Sequence, residues 1–238
     1  MDKYDYDPAG RHTKEEAEAA YEALFKELHG EESGNEKAPG DKTLSDKTTE
    51  KKIAVVGHRE PDTDSICSAI AYARLKNEVD ALRTYLPFRA GRLNDETAFI
   101  LNYFGIPEPP LFNAAEDIFK IILVDHNDPA CSAEGVREDM ILEIIDHHSL
   151  AGAGTTEPIA VRIQPCGSTA AIIYEIYREK GIDPDRETAG LLCAAVISDT
   201  RLFRAENTTA LDRLSGAALA NIAGLDMEAF YIKSNGKK

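Results

Sequence analysis

Positive charge, paired cysteines and long apolar runs are scarce in this 238-residue chain, and each shortage removes a class of function. Lysine and arginine number 27 against 42 acidic residues, a formal charge of −15. That balance excludes a basic groove holding nucleic acid through many phosphate contacts. It leaves room for a small phosphorylated substrate, because bound divalent cations reverse the local sign. The four cysteines, Cys67, Cys131, Cys166 and Cys193, stand singly without CxxC spacing, so neither a disulfide framework nor a thiolate zinc site is expected. No apolar run approaches the roughly 20 residues that span a bilayer. The start, MDKYDYDPAG, lacks the basic-then-apolar pattern of a secretion signal, so a cytoplasmic protein with no membrane partner is the expectation. No internal repeat is visible.

What the chain does have is a set of ionisable residues at the ends of apolar segments. Gly57-His58-Arg59-Glu60-Pro61-Asp62-Thr63-Asp64-Ser65 follows the strand-like Ile53 to Val56 and places one imidazole and two aspartates on a turn. Asp125-His126-Asn127 follows Ile121 to Val124, and Asp146-His147-His148 follows Ile141 to Ile145. Asp199 closes a further strand-like or core-like run, Ala194 to Ser198. In an open parallel sheet the carboxyl ends of the strands line one crevice, so groups far apart in sequence converge there. Any one such Asp is more often a helix cap or a turn former. Together, with no lysine or arginine interleaved in the later clusters, they repel one another unless a cation neutralises them. Oxygen-rich ligation with two or three imidazoles suits Mn²⁺, Mg²⁺ or Co²⁺.

The pattern divides the chain. Residues 14–29 carry apolar groups at helical spacing, with Thr13 as N-cap and Gly30 as stop, and residues 31–51 are polar enough to be a flexible linker. From residue 52 strands and helices alternate. Strands are expected at 53–57, 81–86, 120–125, 141–146 and 158–163, and helices at 65–78, 94–104, 132–138, 168–181, 186–198 and 207–223. This is an α/β fold: a parallel sheet flanked by helices on both faces, with a helical N-terminal appendage. Gly167-Ser168-Thr169 at a helix start reads first as a cap.

Five ordered motifs, GHREPDTDSICSAIAYA (57–73), VDHN (124–127), IIDHHSL (144–150), PCGSTAAIIYEIY (165–177) and AVISDTRLF (195–203), give the segment from 53 to about 232 its resemblance. It resembles the N-terminal catalytic domain of the manganese-dependent (family II) inorganic pyrophosphatases, within the DHH phosphoesterases. The resemblance implies two divalent ions, Mn²⁺ first and Co²⁺ or Mg²⁺ as alternatives. It assigns His58 and Asp62 to one ion and Asp64, His147 and Asp199 to the other, with Asp125 bridging both. Asp62 and Asp64, two apart on an extended turn, are expected to face different ions. His148 is implied as the histidine that touches substrate, and His126, Asn127 and Asp146 as residues bracing the ligands through hydrogen bonds. Two metals in that arrangement activate water and hold phosphoryl oxygens for in-line attack.

Family members carry a second, C-terminal domain that clamps the substrate with an Arg-Lys-Lys-type cluster, and no counterpart stands in this sequence, where Arg201 and Arg204 read as surface residues. The expected organisation is therefore 1–51 appendage and linker, 52–232 catalytic domain, and 233–238 a truncated interdomain linker. The expected activity is pyrophosphate hydrolysis, weakened by the missing clamp. A homodimer or a clamp supplied in trans is the expected kind of partner. The alternatives left open are a non-catalytic metal- or phosphate-binding domain and a DHH phosphoesterase acting on nucleotides.

Overall fold

A computed structural model of the chain describes residues 51–113, 117–152 and 154–235. The helix expected at 14–29 and residues 31–50 of the linker expected behind it lie outside the described residues, while Lys51, expected to end that linker, opens the first strand. Five strands, β1 (Lys51–Val56), β2 (Arg83–Phe88), β3 (Lys120–Val124), β4 (Ile141–Asp146) and β5 (Ala160–Ile163), form one sheet in the order β2-β1-β3-β4-β5. Every neighbouring pair is parallel. Between them run α1 (Thr63–Val79) and α2 (Asp95–Tyr103), and after β5 come α3 (Thr169–Glu179), α4 (Arg186–Asp199), α5 (Ala210–Ala223) and α6 (Met227–Asn235).

Strand alternation separates two cores. Ile53 and Val55 of β1, Ile122 and Val124 of β3, and Ile145 of β4 point into a core shared with residues of all six helices. The next residues along the strands, Ala54, Val56, Ile121, Leu123 and Ile144, join a smaller core on the opposite face. A register irregularity between Ile121 and Ile122 pairs them with Ile141 and Glu143, skipping Leu142. This bulge turns Leu142 and Glu143 to the same face, where Leu142 packs on the large core and Glu143 accepts from the Tyr72 hydroxyl at 2.7 Å. Each fully buried Ile or Leu contributes about 1.5–3 kcal/mol relative to exposure.

The expected helical cover on both faces is realised unequally. The α-helices among the described residues bury into the large core, while the smaller core is closed by connecting segments and 3₁₀ turns. The short helix expected at 132–138 does not form: residues 132–137 run as turn and coil between two 3₁₀ turns, Pro129–Cys131 and Glu138–Met140, with Gly135 at φ 86° breaking an α-helical ladder. The run Ala194 to Ser198 ending at Asp199 is the last part of α4 and not a strand, with Ala194 to Ile197 buried in a helix that packs against other helices. At the chain's end, helix α6 continues through Asn235, into the stretch expected to begin a linker.

The functional consequence lies in the strand order. β1 leads outward to β2, and the chain then returns to build β3, β4 and β5 on the other side of β1. The carboxyl ends of β1 and β3 therefore flank the point where connections diverge, and the loops leaving them open a crevice.

Candidate metal centre

Gly57 ends β1 in a space that only glycine fills: a Cβ there would lie 1.9 Å from Ser65 Oγ. Helix α1 thus starts against the end of β1, and Asp62 caps it by accepting from the Ser65 N–H at 3.0 Å. Asp64 sits inside the first turn, so the pair Asp62 and Asp64 occupies a cap and a helix start, not the extended turn expected. The two carboxylates still diverge. Asp62 joins His58 and Asp125 in one group of candidate ligands, and Asp64 joins His147 and Asp199 in another.

Asp125 lies between the groups. It follows β3 at φ 60°, a left-handed backbone conformation that Asp tolerates better than most residues, and its N–H is held by Ile145 O at 2.9 Å. Its Oδ2 is 3.3 Å from His58 Nε2 and its Oδ1 is 3.3 Å from His147 Nε2. One carboxylate thus offers a separate oxygen to each imidazole. Both rings are locked in the tautomer that exposes Nε2, since His58 Nδ1 donates to Arg59 O at 2.7 Å and His147 Nδ1 donates to Cys166 O at 3.1 Å. His147 Nε2 is buried and has no hydrogen-bond partner, although Asp64 and Asp199 approach to 4.0 and 3.8 Å. An orphaned imidazole nitrogen ringed by carboxylates is what a cation would satisfy.

Electrostatics point the same way. Burial by itself would lower the His58 pKa, but Asp125 and Asp62 overcome it and push it up to about 11. His147 rises to about 9 against the same burial, drawn by Asp125 and Asp64. Burial, reinforced by Asp125, pushes Asp64 well above the carboxylate range, and burial with Asp64 and Asp125 does the same to Asp199. Burial opposes ionisation of Asp125 too, yet the two imidazoles hold it below the usual range. Without metal the cluster relieves its negative charge by holding protons. Its four carboxylates match the charge of two divalent cations. The donor set, carboxylate oxygen plus imidazole nitrogen without thiolate, fits Mn²⁺ or Mg²⁺ chemistry.

The other predicted residues fall around this centre. Asp146 is fully buried and accepts on Oδ1 from the His147 N–H at 2.8 Å, the His148 N–H at 3.1 Å and His148 Nδ1 at 2.8 Å. Asn127 donates to Asp146 Oδ2 and to Ser149 O and accepts from the Ala151 N–H, tying the two loops together. His126 turns away from the cluster: Nδ1 donates to Val124 O and Nε2 accepts from Ser132 Oγ, both at 3.0 Å. It braces the loop after β3. His148 is about half exposed and lines an open cleft with His58, Asp125, Asn127, Asp128, Cys131 and Ser149.

For the turn before α3 the sequence allows either a helix cap or backbone N–H groups placed near the site, with the cap preferred. Ser168 does cap the helix, accepting from the Ala171 N–H at 3.3 Å. Its neighbours do more: the Thr169 and Ala170 N–H groups donate to Asp64 at 2.6 and 3.0 Å, and Thr169 Oγ1 donates to Asp125 at 3.0 Å. The available signal was a Gly-Ser-Thr helix start in a chain with buried carboxylates needing N–H donors.

A parallel sheet carrying a carboxylate–imidazole cluster at its switch point defines an α/β protein with a candidate centre for two cations. The chain belongs to the DHH family, whose N-terminal-domain profile matches residues 52–196. It is 46% identical over 178 residues to a Clostridium acetobutylicum protein assigned as a manganese-dependent inorganic pyrophosphatase, covering 75% of this chain and 57% of the relative. It is 43% identical over 180 residues to the manganese-dependent inorganic pyrophosphatase of Bacillus subtilis, covering 75% and 58%. The crystal structure of a Methanococcus jannaschii protein assigned to the family II inorganic pyrophosphatases superposes with a TM-score of 0.69 at 41% identity, over 76% of this chain and 59% of that one. An exopolyphosphatase-related protein of Bacteroides fragilis shares the fold at 18% identity and a TM-score of 0.60. The chain thus spans a little under three fifths of the length of these relatives. No helix among the described residues is long and apolar enough to cross a membrane.

Proposed function

We propose that this chain holds two divalent cations, Mn²⁺ foremost, and with them hydrolyses inorganic pyrophosphate to two phosphates. The observation that carries the reading is Asp125, whose two oxygens each face a different imidazole, at 3.3 Å in both cases. His58 and Asp62 would hold one ion and Asp64, His147 and Asp199 the other, with Asp125 shared. When bound, such a pair supplies Lewis acidity and a nucleophile active near neutral pH.

The chain's own residues do the rest. The carbonyls of Arg59 and Cys166 keep both imidazole lone pairs directed at the cluster. Asp146 holds His148 by Nδ1, leaving Nε2 to face a phosphate oxygen in the cleft. The same reading divides the chain into a catalytic domain from 52 to 232, a preceding appendage and a following interdomain linker. It includes a cytoplasmic setting, which suits three buried, unpaired thiols, Cys67, Cys166 and Cys193.

Steady-state phosphate release from pyrophosphate, against a nucleotide substrate and a metal-free control, tests the function. Mn²⁺-dependent release that disappears in Asp125→Asn, together with loss of one bound ion per chain, is the expected result. Full two-ion loading in Asp125→Asn would refute the bridge. Metal binding without turnover would favour a binding domain completed by a separate clamp-bearing chain, a reading supported by the lack of any lysine or arginine in the cleft lining among the described residues.

A further inference from the structure

We propose that Asp212 is a positioning residue of the metal centre, acting through residues 166–170 without itself reaching an ion; the inference rests on the two-cation reading above. Those five residues make four contacts to three of the six candidate ligands. Cys166 O accepts from His147 Nδ1 at 3.1 Å. The Thr169 and Ala170 N–H groups converge on Asp64 at 2.6 and 3.0 Å, and Thr169 Oγ1 reaches Asp125 Oδ1 at 3.0 Å. A small shift of this segment would therefore misplace ligands from both cation groups at once.

The segment is held from outside by Asp212 of helix α5, whose Oδ2 accepts from the Gly167 N–H at 2.8 Å. Asp212 also closes the capping box of α5, taking the Thr209 N–H and Oγ1 on the same oxygen at 2.7 Å each. Capping alone does not call for burial, since a carboxylate in a first helical turn serves as well in water. Yet Asp212 is fully buried, and its Oδ1 has no hydrogen-bond partner. Leaving an acceptor unpartnered away from water is costly. The local structure accommodates that cost in order to bring α5 against Gly167. A Cβ on Gly167 would lie 3.0 Å from Asp212 Cγ and 2.6 Å from Thr200 Cγ2, so the contact exists only because residue 167 is glycine. Thr200 directly follows Asp199, so the same junction touches the end of α4 that carries a further candidate ligand. Asp212 thereby links α5 to the segment that orients His147, Asp64 and Asp125.

The test separates positioning from plain stability. Mn²⁺ affinity is read from the free-ion electron paramagnetic resonance signal, beside thermal unfolding of the metal-free chain, for wild type, Asp212→Ala, Asp212→Asn and Thr209→Ala. Thr209→Ala removes the N-cap of the same helix and leaves the Gly167 contact in place. It should lower the melting temperature comparably to Asp212→Ala while keeping Mn²⁺ affinity within about threefold of wild type. Asp212→Ala should weaken Mn²⁺ roughly 10- to 100-fold, the range usual for groups that orient metal ligands. Asp212→Asn, which keeps an acceptor for the Gly167 N–H, should restore most of it. Equal affinity in Asp212→Ala and Thr209→Ala, or equal loss in the Ala and Asn variants, overturns the assignment. Should Asp212→Ala not fold, Gly167→Ala disrupts the same contact from the other side, and unchanged affinity there overturns it equally. A wild-type chain that binds no Mn²⁺ would instead defeat the two-cation reading itself.

Discussion

Two imidazoles facing one carboxylate must give up protons before either can accept a metal, and this sets the pH behaviour of the centre. His58 and His147, normally near 6.5, are pushed up to about 11 and about 9 in the metal-free protein. A raised pKa means the folded state binds more protons than the unfolded one, so the associated stability is complete below pH 6.5. It is lost as pH rises through 9 and then 11. Asp64 and Asp199 are shifted upward too, so their contributions fall with rising pH in the same direction. Metal-free protein should therefore lose stability between pH 6.5 and 9. Over the same window Mn²⁺ affinity should climb by up to about tenfold per pH unit for each proton displaced. Calorimetry in buffers of different ionisation enthalpy counts the protons released. Affinity independent of pH between 6.5 and 8.5 would refute the account. At this scale the sequence was highly legible: every candidate ligand it offered falls within one cluster. Of the support it offered Asp146 and Asn127, which do hydrogen-bond beside His147 and His148, and it hid Cys166, Thr169 and Asp212, whose contacts come from backbone groups, a helix start or a distant helix that no spacing rule marks.

Elements were legible to the extent that their local pattern decided them. β4 was read at its observed bounds, since an apolar run ended by Asp146 has the same appearance in sequence and in space. The short helix expected at 132–138 does not form, because polar spacing alone cannot register that Gly135 takes a left-handed backbone conformation there. Helix α6 was missed: tertiary packing of Phe230 beside Phe99, Tyr103 and Phe104 stabilises a nine-residue helix that propensity would leave marginal. The junction of β1 with α1 gives the sharpest prediction at this scale. Gly57→Ala places a Cβ 1.9 Å from Ser65 Oγ, so either the helix start or the strand end must move. A destabilisation of about 1–3 kcal/mol is expected from overpacking, with Mn²⁺ affinity falling as well because His58, Asp62 and Asp64 all sit on that turn. Urea unfolding and metal titration of the same variant measure both effects. A loss of stability with metal affinity retained would show that the turn adapts without disturbing its ligands.

Charge balance at the site bears on how tightly the described residues would hold the proposed substrate. In the proposed two-cation centre the four carboxylates Asp62, Asp64, Asp125 and Asp199 would take up the positive charge of two divalent cations. Little remains to offset a pyrophosphate that is itself polyanionic. The cleft beside His148 offers no lysine or arginine among its described lining, and the chain as a whole carries a formal charge of −15. The relatives are longer: this chain spans 57% and 58% of the two bacterial pyrophosphatases compared. Their remaining length is where the sequence reading places a basic clamp. If the proposed function holds, a polypeptide of these 238 residues should hydrolyse pyrophosphate with Mn²⁺ dependence but weak saturation, at a rate roughly 10² to 10⁴ below that of the full-length Bacillus subtilis relative, the scale expected where positioning and oxyanion stabilisation are both weak. Supplying the C-terminal remainder of that relative as a separate polypeptide should recover part of the deficit, mainly by lowering KM, and the recovery should shrink as salt screens the added cations. Turnover that already equals the longer enzyme, or that is unmoved by the added polypeptide, would show that the two-cation loops hold pyrophosphate without help.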